Sequence, residues 1–177
     1  MVRLRNMRNM AKNTLLSSRD GQQKSAACLL HAQYITSING FKVGTLLDLG
    51  LNANYVTNKF AQRYNLPGKD VILEIKGIGG KITYVNSKLY TVPVLIGGRM
   101  KEIECYGLEV ILATKTSTKA SYKKMCEKFE VNPEDVRRPQ TLDLLISMWD
   151  NNLHPHKLRN VGQMTLYDGP LGKVFGG

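Results

Sequence analysis

Short apolar runs rich in β-branched and aromatic residues alternate with glycine-bearing turns along this chain, and only two stretches follow a helical period. Cys28 to Ile38 reads as a strand. Asn39-Gly40, a pair that tolerates positive φ, predicts a tight hairpin that returns through Phe41 to Leu47 and delivers Asp48 at the strand end. Thr57 is placed to cap a short helix with Phe60, Ala61 and Tyr64 on one face, and Asn65 to end it in a left-handed conformation. Val71 to Lys76 and Lys81 to Val85 bracket Gly77-Ile78-Gly79-Gly80, while Leu89 to Ile96 and Glu102 to Leu112 flank Gly97-Gly98, giving two further hairpins. Between Ser117 and Glu130, the apolar set Tyr122, Met125, Cys126 and Phe129 recurs at helical spacing, with Ser117 or Thr118 as cap. Leu142 to Met148 is the last core strand expected. The pattern predicts a mostly β fold, a small barrel or sandwich with short helices.

Composition narrows the class. A chain of 177 residues with 42% hydrophobic content can bury one core. No run approaches the ~18 consecutive apolar residues of a membrane span, so no membrane partner is expected, and nothing reads as a secretory signal. Cys28, Cys105 and Cys126 are odd in number and lack close spacing, which argues against a disulfide framework or a zinc site. A reduced intracellular compartment, cytoplasmic or nuclear, follows as the expectation. The formal net charge is +11, and residues 1–25 hold Arg3, Arg5, Arg8, Lys12, Arg19 and Lys24 against Asp20 alone. That segment lacks apolar periodicity and is expected to be a flexible basic tail ahead of a domain over residues 26–177. It reads as a solvated linker or as a weak, nonspecific nucleic-acid contact, with no aromatic residue in the basic run for base stacking.

The candidate chemistry centres on Thr45-Leu46-Leu47-Asp48-Leu49-Gly50, an apolar strand running into an acidic turn, and on the distant strand Leu142-Asp143-Leu144-Leu145-Ile146-Ser147. Four blocks in order, residues 28–50, the stretch NYVTNKFAQRYNL, the Gly77–Gly80 hairpin and the stretch from Pro139 to Asp150 with the closing glycine-rich turn, resemble the retropepsin-like aspartic peptidase domains of BEL/Pao-type retrotransposons and their domesticated relatives. The resemblance covers roughly Cys28 to Gly177 and implies a closed, mostly antiparallel acid-protease barrel that works as a homodimer. It also implies one catalytic aspartate per subunit, Asp48, with Gly50 allowing the turn and Gly77, Ile78, Gly79 and Gly80 forming a flap over an extended peptide. Two such carboxylates about 3 Å apart share a proton, one acting as base on water while the other donates to the scissile carbonyl. No cofactor or metal is implied.

Three positions depart from the family pattern. Leu49 stands where a Thr or Ser hydroxyl locks the two turns across the dimer, Leu51 where a small residue is usual, and Ser147 where a glycine packs behind the turn. Leu49 and Leu51 are expected either to impair catalysis or, if exposed at the two-fold axis, to give the dimer an apolar contact. His154 and His156 flank Pro155 with no carboxylate or cysteine at ligand spacing and read as loop residues, and Trp149 reads as core or interface. Three functions stay open: a pseudoprotease retained for dimerisation or for binding a peptide or protein partner within a larger protein, an active aspartic endopeptidase, and a nucleic-acid-associated module led by the basic tail.

Overall fold

A computed structural model describes residues 33–38, 40–111, 119–136 and 141–176; the basic segment and the expected caps Ser117 and Thr118 lie outside the described residues. Strands β1 (Gln33–Ile38), β2 (Phe41–Asp48), β3 (Asn54–Thr57), β4 (Gly68–Lys76), β5 (Ile82–Ile96), β6 (Arg99–Leu108) and β7 (Leu144–Ser147) form one sheet in the order β1-β2-β7-β3-β6-β5-β4. Helix α1 (Asn58–Arg63) follows β3, and helix α2 (Lys119–Phe129) lies between β6 and β7.

All three expected hairpins form. Gly40 has φ +80°, Gly79 and Gly80 have +80° and +81°, and Gly97 and Gly98 have +55° and +78°, conformations that other residues rarely adopt. Thr57 caps α1, its hydroxyl accepting from Phe60 N at 3.3 Å, and Asn65 takes φ 51° beyond the helix end. The second and third hairpins share β5, which is continuous from Ile82 to Ile96 where the sequence suggested two strands.

The structure is mostly β with short helices, and its large sheet is mixed: most strand pairs are antiparallel, but two are parallel. β2 pairs with β7 in parallel, Thr45 with Leu144 through Asp48 with Ser147, and β3 pairs with β6 in parallel from Asn54–Cys105 to Thr57–Leu108. The reason lies in the apolar runs themselves. All four residues of β7 are buried, as expected of a strand covered on both faces, and β3 is equally buried. A short antiparallel contact, Ser37 with Leu95 and Ile38 with Val94, links β1 to β5. β7 is also not the last strand. β8 (His156–Val161), β9 (Met164–Gly169) and β10 (Gly172–Gly176) form a separate three-stranded antiparallel sheet. Its Leu166 and Phe175 pack with Met125, Cys126 and Phe129 of α2.

The main core gathers Ile38, Val43, Leu47, Val56, Val92, Val94, Leu144 and Ile146 around β7, and a second cluster joins Leu46, Leu51, Ala53, Tyr55 and Leu145 on its opposite face. Leu144→Ala should therefore cost about 2–5 kcal/mol, since Leu144 is fully buried in the centre of the sheet. Urea denaturation should show the midpoint falling with little change in slope.

Candidate functional site

Asp48 closes β2, and the turn that follows is built around its carboxylate. Gly50 N donates to Asp48 Oδ1 at 2.7 Å, and Leu51 N approaches Asp48 O at 3.4 Å. Gly50 is selected by proximity and not by a left-handed backbone: a Cβ there would sit 3.1 Å from Asp48 Oδ1. The other carboxylate oxygen, Oδ2, is buried and has no hydrogen-bond partner among the described residues. A buried carboxylate oxygen without a donor is costly, of the order of 1–3 kcal/mol, which singles this atom out from the bonded Oδ1.

The three departures separate in space. Leu49 is 61% exposed at the turn, beside Asp48. Leu51 is only 3% exposed and packs with Leu46, Ala53, Tyr55, Ile111, Leu142 and Leu145, so it is a core residue and not an exposed apolar contact for a dimer. Its backbone runs inward because Met148 N donates to Leu51 O at 3.2 Å, which ties the turn to the end of β7. Ser147 is fully buried and well used. Its N and Oγ donate to Asn54 Oδ1 at 2.8 and 3.0 Å, and its Oγ accepts from Trp149 N at 3.2 Å, capping the 3₁₀ segment Met148–Leu153.

Asn54 is the residue that sequence reasoning missed. Besides accepting from Ser147, its Nδ2 donates to Asp150 Oδ2 at 2.7 Å and to Glu104 O at 3.2 Å. Asp150 is in turn paired with Lys101 Nζ at 2.8 Å. One buried amide thus binds β3, β6, β7 and the 3₁₀ segment, directly behind the position paired with Asp48. The only signal in the sequence was a polar residue just ahead of the apolar pair Tyr55-Val56. Nearby, burial first, and then the Asp150 and Glu104 carboxylates, push the Cys105 thiol well above its ordinary range, so it is an inert core group.

The expected flap residues form the tip between β4 and β5. Gly77 N donates to Lys81 O at 2.7 Å and Gly80 N to Gly77 O at 3.2 Å, with Ile78–Gly80 as a single 3₁₀ turn. His154 Nε2 lies 2.9 Å from Ser147 O and His156 opens β8, so neither is held with the other at a common point. Among the described residues no group of three or more His, Cys, Asp or Glu converges as metal ligands would. No helix among them is long and apolar enough to cross a membrane. Trp149, expected as core or interface, is not core: it is 64% exposed, and Met148 beside it is 51% exposed. Because Asp48 is in register with Ser147, these two residues and Leu49 emerge at the same end of the β2–β7 pair.

No protein-family model, curated protein or solved structure matches this chain.

The Asn54 amide makes a clear prediction. Asn54→Ala should cost on the order of 1–3 kcal/mol for each buried group it leaves unpaired, with Ser147 N and Asp150 foremost. Asn54→Asp should behave differently with pH. Two adjacent carboxylates hold a proton more tightly folded than unfolded, so the variant's stability is present at acid pH and lost as pH rises through the raised folded pKa. Urea melts at pH 4 and pH 7 should show the Asn54→Asp deficit growing with pH, and the Asn54→Ala deficit nearly constant.

Proposed function

We propose that the chain is a retropepsin-like, homodimeric domain of impaired catalytic power, used for dimerisation and for holding an extended peptide or protein segment. The observation that carries this reading is Asp48: one carboxylate oxygen fastened by Gly50 N, the other buried without a partner among the described residues, beside an exposed Leu49. A second Asp48 brought to the same two-fold axis would share a proton with that oxygen. The strand pairings support the barrel-like aspect of the reading, since they pass from β1 through β2, β7, β3, β6 and β5 and return to β1 at Ser37 and Ile38. The Gly77–Gly80 tip supports the flap assignment.

Impairment rests on Leu49 alone. The fold accommodates Leu51 in the core and Ser147 in a hydrogen-bonded cap, so neither obstructs the carboxylate. Leu49 cannot donate the hydroxyl hydrogen bond that the family uses across the axis, and offers apolar contact in its place, together with Met148 and Trp149. Burial of such side chains contributes ~1.5–3 kcal/mol each when complete.

The second reading, an active aspartic endopeptidase, is favoured by the orphan Oδ2 and by the inward course of Leu51. One set of measurements separates the two. The purified chain should self-associate under reducing conditions, and Leu49→Lys should remove the association made at the acidic turn. Peptide cleavage at mildly acidic pH should be slight, and Asp48→Asn should leave the dimer intact. Leu49→Thr alone, without changes at Leu51 or Ser147, should raise cleavage about tenfold or more, the equivalent of one transition-state hydrogen bond. Robust cleavage by the native chain that Asp48→Asn abolishes would establish the enzyme reading in its place.

A further inference from the structure

The described sheets end in strand edges that are treated very differently. β8 is bulged between Lys157 and Arg159, follows Pro155, and exposes all six of its residues, three of them His156, Lys157 and Arg159. These are the usual devices that stop an edge from pairing with another chain. β4, the outer strand of the large sheet, also follows a proline, Pro67, and carries the exposed Lys69 and Lys76, but it is not bulged and it alternates exposed residues with the buried Leu73. It pairs with β5 over nine residues, Gly68–Tyr90 to Lys76–Ile82, with no register shift, and among the described residues it pairs with no strand on its other side. Its interior holds no proline or glycine.

The face of this hairpin turned from the core mixes charged side chains with exposed apolar ones. Asp70, Ile72, Glu74 and Lys76 alternate along one face of β4, opposite Lys88, Asn86, Tyr84 and Ile82 of β5. Ile72 is 70% exposed and Tyr84 66%, and Ile82 is exposed beside them. On the other face Leu73 is buried, which fixes the orientation of the strand.

We propose that the free edge of β4 pairs with β4 of a second copy of this chain, antiparallel about a two-fold axis at Leu73. The occupant follows from the charges. A two-fold axis normal to the sheet maps each face onto itself, so only residues of the same face can stand opposite one another. Centring on Leu73 puts Asp70 opposite Lys76 of the second copy, twice by symmetry. Centring on Ile72 instead sets Asp70 against Glu74, and centring on Glu74 or Asp70 sets like charges against themselves. Centring on Val71 matches no opposite charges. Of the registers with substantial overlap, the Leu73 register is thus the one that places opposite charges directly across from each other. It also sets the two Ile72 side chains at diagonal positions, within reach of each other across the new pair. Asp70 remains available, since its ion pair with Lys88 at 2.6 Å is at the surface.

This contact is separate from the acidic turn, so each can be tested without the other. Sedimentation velocity on the full chain, over a concentration series, is the measurement. Lys76→Glu should weaken the β4 association about tenfold, by turning two opposite-charge pairs into like-charge pairs. Asp70→Lys should do the same, and Asp70→Lys with Lys76→Glu should restore association, with circular dichroism unchanged throughout. Leu49→Lys should leave the β4 pair in place, and Leu49→Lys with Lys76→Glu should give a monomer. Association that is indifferent to both single charge changes, or a double charge swap as weak as either single change, would overturn the β4 proposal. If Leu49→Lys has no effect while Lys76→Glu alone gives a monomer, the β4 contact stands and the turn-to-turn dimer falls.

Discussion

The parallel register between β2 and β7 is the constraint on which the rest of the acidic site depends. It sets Asp48 beside Ser147, and every other fixed point follows from that adjacency. The Ser147 hydroxyl caps the segment that carries Trp149, its amide engages Asn54, and the next amide, Met148 N, draws Leu51 inward. The register itself is held by burial. Leu144, Leu145, Ile146 and Ser147 are all enclosed, and a slip of one residue would turn Leu144 and Ile146 from one core cluster towards the other.

The polar arrangement behind the turn shows how a buried network can be both costly and selective. Asn54 uses its carbonyl oxygen twice and its amide nitrogen twice, leaving no lone capacity to compete for water. Lys101 neutralises Asp150 at the outer end. Thr57 has a similar role at the far end of β3, capping α1 while donating to Asp143 Oδ1 at 2.6 Å. The strand is therefore anchored to the β7 side at both of its ends.

Local signals were legible wherever one residue type answers one backbone demand. Gly40, Gly79 and Gly97 marked turns because positive φ favours glycine, and Thr57 marked a helix start because a hydroxyl can accept from an amide three residues on. Asp48 at a strand end was readable for the same reason. What could not be read was which face each turn residue meets. Leu49 and Leu51 look alike in the sequence, yet one is solvent-exposed and the other packs with Leu46, Tyr55, Leu142 and Leu145, residues brought together only by the fold. Ser147 looked like a damaged glycine because its partner, Asn54, lies far away in the chain. The last sheet, β8–β10, was overlooked because β8 has no alternation of buried and exposed positions to betray a strand.

The β2–β7 pairing also has a consequence for how the chain is made. Thr45 must wait for Leu144, and Asn54 for Ser147, so the edge of β2 that pairs with β7 has no neighbour until about a hundred further residues have been synthesised. During translation, β1–β2 and β4–β5–β6 can zip as local hairpins, leaving a gap between β2 and β3 that only the late-arriving β7 can fill. Ribosome-bound chains truncated before Leu144 should therefore expose the apolar rows of Leu46, Leu47, Tyr55 and Val56 together, and such nascent intermediates are the species most in need of chaperone cover.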